Sequence, residues 1–259
     1  MIEQNKFIFI NYKLIFFFKI KFKQFQNLIT IVKNFFQKKN KINFIHAPKN
    51  CGSIIIENLK VIQSHSNYKF KTYNHYFKQY NLSNDEKYII SIRDPIESFI
   101  SSYNQTLYPK RKFKEHKIII PKLNQKFLEL FPTLNNFCES FYTEKQIYIE
   151  NFIYCSIHMR ERFSSFFKSI ENLEKNLPIY IIHKDTFVED MHELFEKFNV
   201  SFKFNTLQND MFRLNYKKEN LSDLAKKNLN AYLKLDFEFF NYLKNKKNEI
   251  NSNFLRKDF

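Results

Sequence analysis

Glycine is all but missing from this sequence: 259 residues contain one, Gly52. The chain leans on Lys, Asn, Ile, Phe and Tyr, whose codons are rich in A and T, and that bias removes glycine. The copy that remains is expected where the backbone needs a positive φ or comes close to another group. Cysteine is scarce too. Cys51, Cys138 and Cys155 are odd in number and show no Cys-x-x-Cys or Cys/His spacing. That excludes a disulfide framework and a structural zinc site, and no metal is expected. Acids are outnumbered, 26 Asp+Glu against 42 Lys+Arg, for a net charge of +16. An AT-biased gene gives this excess of lysine without selection, so nucleic acid is not expected as a partner. Long uncharged apolar runs are absent as well. The run FIFINYKLIFFFKIKF (7–22) contains Lys13, Lys19 and Lys21, too charged for a membrane-spanning helix. It also lacks a small-residue cleavage site, so no cleavable signal peptide is expected. A cytoplasmic or peripheral membrane location follows.

What is present is apolar and aromatic, at 44% and 19% of residues, enough for a substantial core. Residues 1–40 read as an apolar, basic extension. Its stretch 7–23 suits a packed strand or peripheral membrane contact, with lysines snorkelling, and an amphipathic helix is expected over 26–37. The main domain spans 41–245, and 246–259 reads as a polar tail that frays. Within the domain, INFIH (42–46), YIISI (88–92) and IYIIH (179–183) are short continuous apolar runs, as in buried parallel strands. YKFKTYNHY (68–76) is a further candidate. Helical patterns follow most of them. The expected fold is α/β and three-layered, with a mostly parallel central sheet and helices on both faces.

The single glycine lies in HAPKNCGS, residues 46–53. The strand before it gives way to a turn, and Ser53 is placed to cap a helix whose inner face takes Ile55, Leu59 and Ile62. Backbone N–H groups converge at such a helix start, and the helix dipole favours an anion there. Lys49 adds a full charge, and Gly52 would let the loop curl around an oxyanion group. The loop is not a Walker A motif, because no first glycine exists and Lys49 precedes Gly52 by three residues. A second strand–turn–helix follows in YIISIRDPIESFISSYNQ (88–105). Arg93 stands just past the strand, Asp94 is a good helix cap, Pro95 suits the first helical position, and Glu97 completes a capping box. Ligands of open α/β sheets bind at the carboxyl ends of strands, and an Arg with a nearby Ser suits a phosphate.

Together these stretches resemble the two cofactor signatures of sulfotransferases that use 3′-phosphoadenosine-5′-phosphosulfate (PAPS). The first is matched by Pro48, Lys49, Asn50, Cys51, Gly52 and Ser53, and the second by Arg93, Asp94, Pro95 and Ser101. The spacing between Lys49 and Gly52 is more like the carbohydrate-modifying, membrane-type branch than the small-molecule branch. The likeness extends over about 42–243, through NHYF (74–77), a tyrosine-containing helix over 153–167 and a C-terminal helix over 221–243. It departs at Ser53, where Thr is usual, at Ile54, where a second hydroxyl is common, and at Asn74, where Gly is frequent. The resemblance implies a P-loop-like sulfotransferase fold and sulfuryl transfer from PAPS to a hydroxyl of a carbohydrate or glycoconjugate. It implies that the loop 48–53 binds the 5′-phosphosulfate, with Lys49 catalytic, and that Arg93 and Ser101 bind the 3′-phosphate. His75 is implied as the general base, with His46 and Glu57 as further candidates. Two other readings stay open: an atypical P-loop nucleotide-binding protein or kinase, and a non-enzymatic basic protein of membrane surfaces. The basic run PKRKFKEHK (109–117) is read as a solvated loop or as an attractor for an acidic sugar.

Overall fold

The computed structural model describes residues 41–107, 119–201 and 220–254. The segment 1–40, with its expected interfacial stretch and helix, and the basic run 109–117 lie outside the described residues. Among the described residues four short strands form one sheet: β1 (Lys41–Ile45), β2 (Lys69–Thr72), β3 (Tyr88–Ile92) and β4 (Tyr180–His183). Their order is β2-β1-β3-β4, and every pairing is parallel. β1, β3 and β4 fall on the three apolar runs, with β1 starting one residue earlier, and β2 falls within the further candidate 68–76. The described residues also form ten α-helices, in chain order: α1 (Gly52–His65), α2 (Pro95–Leu107), α3 (Ile119–Leu130), α4 (Leu134–Glu139), α5 (Gln146–Cys155), α6 (Ile157–Arg160), α7 (Ile170–Lys175), α8 (Phe187–Lys197), α9 (Asp223–Tyr232) and α10 (Lys234–Asn253). The expected α/β class, with a parallel sheet between two helical layers, is the fold observed.

Strand alternation sends side chains to both faces. Ile42, Phe44, Ile89, Tyr180 and Ile182 pack with Ile55, Leu59 and Ile62 of α1 and Met191 and Leu194 of α8. Ile45, Tyr88, Ile90, Ile92 and Ile181 pack instead with Phe163, Phe166 and, from α10, Phe240 and Leu243. Each large apolar side chain buried in this way contributes about 1.5–3 kcal/mol. Among the described residues no helix is long and apolar enough to cross a membrane.

The described residues fall into two compact units. The first, 41–95 with 161–201 and 235–254, holds the sheet. The second, 96–107 with 119–160 and 220–234, is helical. Its core is aromatic: Phe127 stacks on Phe152 with ring centroids 3.5 Å apart, and Phe137 stacks on Tyr103 at 5.3 Å.

Three sequence expectations are corrected. Residues 153–167 are not one helix. Ser156 (φ −102°, ψ 110°) and Arg162 (φ −66°, ψ 162°) are extended and break it into α5, α6 and a 3₁₀ turn at Phe163–Phe166. Residues 221–243 are likewise divided at Leu233 into α9 and α10. The expected fraying is not found over the described part of the tail, 246–254, since α10 continues to Asn253 with Ile250 and Asn251 buried. Asn251 explains why. Its Oδ1 accepts the Ile181 N–H at 2.9 Å, and its Nδ2 donates to the Ile181 carbonyl at 3.0 Å. One side-chain amide thus imitates a neighbouring strand and closes the open edge of β4.

Candidate functional site

The loop between β1 and α1 is built from alternating backbone hands. Lys49 (φ 61°) and Cys51 (φ 59°) are left-handed, whereas Asn50 and Gly52 are not. Such alternation turns successive N–H groups into one concavity, a natural anion cradle. Asn50 is buried, and its Nδ2 donates to the Ser91 carbonyl of β3 at 3.2 Å. This bond fixes the loop to the neighbouring strand. Helix α1 opens on Cys51 as its cap residue, and no side chain caps it. Ser53 therefore does not cap the helix, as its spacing suggested. It lies inside the first turn, exposed. An uncapped N-terminus leaves donors directed beyond the helix, where an anion is favoured.

The lone glycine has a different reason from the one expected. Gly52 has no positive φ. A Cβ added to it would lie 1.6 Å from Nε2 and 1.7 Å from Cδ2 of His46. The glycine is required because an imidazole from the end of β1 presses on the first turn of α1. Oxyanion curvature falls instead to Lys49 and Cys51. The His46 ring continues into a second imidazole, with His75 4.3 Å away between centroids. His75 Nδ1 lies 3.0 Å from the His46 carbonyl. A carbonyl only accepts, so Nδ1 carries the proton and the neutral ring keeps its lone pair on Nε2. Burial pushes the His75 pKa below the ordinary value of 6.5. The His46 carbonyl and Glu161 oppose this, while Lys78 and Lys49 add to it. His75 is therefore neutral at pH 7 and in the tautomer a general base needs.

Arg93 reaches the same loop from β3, where its Nη1 donates to the Lys49 carbonyl at 3.0 Å. The two cations predicted at opposite ends of one ligand thus stand in the turns that follow adjacent strands, with one bonded to the backbone of the other. The Cys51 thiol lies among them. Burial raises its pKa, and Arg93, Lys184 and Lys49 pull the other way without prevailing. The thiol stays protonated at neutral pH and is no nucleophile.

The remaining candidates separate. Pro48 is buried in the loop. Glu57 is exposed on α1 and pairs with Lys60 at 2.8 Å, away from the cradle. Pro95 starts α2 as predicted. Ser101 is half-buried on α2 in the helical unit, and its role rests on the resemblance alone. Lys184 was missed. It stands one residue past β4, and its N–H donates to the Ile92 carbonyl at 3.0 Å. The available signal was a repeated pattern, in which all three core strands are followed within four residues by a cation.

Comparison of the chain with protein-family models, with curated proteins and with solved structures finds no match.

Proposed function

We propose that the protein transfers a sulfuryl group from PAPS to a hydroxyl of a carbohydrate or glycoconjugate. The observation that carries this reading is the hydrogen bond from Arg93 to the Lys49 carbonyl. It joins two anion-binding signatures at the carboxyl edge of one parallel sheet, as a ligand with charge at both ends requires. The residues fit such a ligand by their chemistry. The cradle offers convergent amides, an uncapped helix start and Lys49, and Arg93 supplies a planar, multiply donating cation.

PAPS, when bound, supplies the group: a new S–O bond forms to the acceptor oxygen as the S–O bond to the 5′-phosphate breaks, leaving adenosine 3′,5′-bisphosphate. Lys49 and the loop amides stabilise negative charge on the leaving phosphate. His75 accepts the acceptor's hydroxyl proton on Nε2, its Nδ1–H held by the His46 carbonyl. Arg93 anchors the remote phosphate, so that binding energy there orients the reacting end.

Thermal shift tests the reading. Adenosine 3′,5′-bisphosphate at a hundredfold its Kd is expected to add about 2.7 kcal/mol to stability. Stabilisation by ATP–Mg²⁺ alone would transfer the site to a nucleoside triphosphate. No shift with either would leave a basic surface protein.

A further inference from the structure

Lys184 lies where neither the motifs nor the resemblance assigns a function. Its position follows from the sheet. Ile92 of β3 and His183 of β4 are paired in register, and paired residues of neighbouring strands point to the same face. Ile92 joins the cluster that contains Phe240, and the His183 ring lies 5.8 Å from the Phe240 ring. One residue further on, alternation turns Arg93 and Lys184 together to the opposite face. That face carries α1 and the Lys49 loop, for Ile89 and Ile182 pack there with Ile54 and Ile55. The Lys184 N–H bonded to the Ile92 carbonyl continues the pairing past the strand ends. The Lys184 ammonium is half-buried and lies 3.4 Å from Asp185, whose carboxylate is 62% exposed. So exposed a carboxylate holds a lysine weakly and yields it to a better anion.

We propose that Lys184 is a third cation of this site and grips, beside Arg93, the phosphate remote from the Lys49 loop. β4 pairs with β3 and not with β1, so in strand order the Arg93 position stands between that of the Lys49 loop and that of Lys184. The remote 3′-phosphate of adenosine 3′,5′-bisphosphate then meets a rigid guanidinium from one strand end and an ammonium from the next. That pair sets preference for a nucleotide carrying a 3′-phosphate. The inference rests on the PAPS reading and adds to it a residue that discriminates between nucleotides.

Calorimetric titration of the full chain with adenosine 3′,5′-bisphosphate and with adenosine 5′-monophosphate provides the test. Lys184→Met is expected to weaken the bisphosphate about tenfold to a hundredfold, the loss of one charge-assisted hydrogen bond, and to leave the monophosphate unchanged. Lys184→Arg restores most of the difference. Asp185→Asn, which removes the competing carboxylate, tightens the bisphosphate. The inference is overturned if Lys184→Met binds the bisphosphate as wild type does, or loses both nucleotides equally, the mark of a merely structural lysine. If the wild type itself binds neither nucleotide, the PAPS reading fails and Lys184 falls with it. If the wild type binds the bisphosphate and Lys184→Met matches it, the Lys184 assignment alone fails.

Discussion

The turns after β1 and β3 leave neighbouring strands at the same edge of the sheet, yet they are built in opposite ways. The first, from Ile45 to Gly52, uses two left-handed residues, a buried asparagine and an imidazole pressed on a helix start. Each left-handed non-glycine residue costs about 1–2 kcal/mol. The second turn passes from Ile92 to Pro95 with no left-handed residue, and Pro95 presets the first helical φ. The costly turn is the one whose backbone alternates in hand, and the simple turn supplies the arginine that braces it. Strain is concentrated where a ligand would be gripped, and its support comes from the adjacent strand.

The largest expected effect separates the two turns by chemistry. Lys49→Ala should lower kcat about 10²–10³-fold, as loss of one charge-stabilising donor does, with the thermal midpoint little changed. Arg93→Ala should act mainly on affinity for the donor. Because Arg93 also holds the Lys49 carbonyl, it should reduce kcat to a smaller extent as well. Steady-state kinetics with varied donor reads both. If Lys49→Ala turns over like wild type, the strained loop is not the reacting end and the contrast between the turns loses its chemical meaning.

A smaller effect tests why the first turn has the glycine. Gly52→Ala places a methyl group within 1.7 Å of two His46 ring atoms and should cost about 1–3 kcal/mol, the usual range for overpacking. In a His46→Ala background the same substitution should be nearly neutral, because Gly52 has an ordinary φ. Denaturant unfolding of the four proteins gives the coupling directly. Equal cost in both backgrounds would mean that something other than the imidazole requires the glycine.

Three strands were legible because buried parallel strands are written as short apolar runs. β3 and β4 fall within the spans read from sequence and β1 begins one residue earlier, at Lys41, whereas the half-exposed β2, Lys69–Thr72, lies within the weaker candidate 68–76. The glycine was legible as a position and not as a reason. Its contact, His46, lies on the far side of a turn whose course only the tertiary structure fixes. The C-terminal helix was misread because it is polar along most of its length, and its anchoring depends on Ile250, Asn251 and Phe254. An asparagine that substitutes for a strand leaves no periodic signature. Lys184 was obscured by composition, since one lysine carries little information in so lysine-rich a chain until strand register sets it beside Arg93.

The smallest effect concerns two imidazoles at the first turn, His46 within it and His75, which follows β2 and packs against His46. His75 is held below 6.5, chiefly by burial, so proton acceptance by Nε2 should persist as pH falls through 6.5 and fail only further down. The acidic limb of the rate profile should therefore lie below that of an ordinary histidine, and His75→Gln should remove that limb. Stability must shift in step. Above 6.5 the ring is neutral both folded and unfolded, and its contribution is fully present. As pH falls from 6.5 through the lowered folded value, the unfolded chain binds the proton first and stability is lost. His183, likewise lowered chiefly by burial, adds a loss of the same sign. The quantity to measure is thus the difference between wild type and His75→Gln in unfolding free energy across that window. No difference would place the His75 ring in water, unsupported by the His46 carbonyl, and the first turn would then have no advantage over the second as a source of the base.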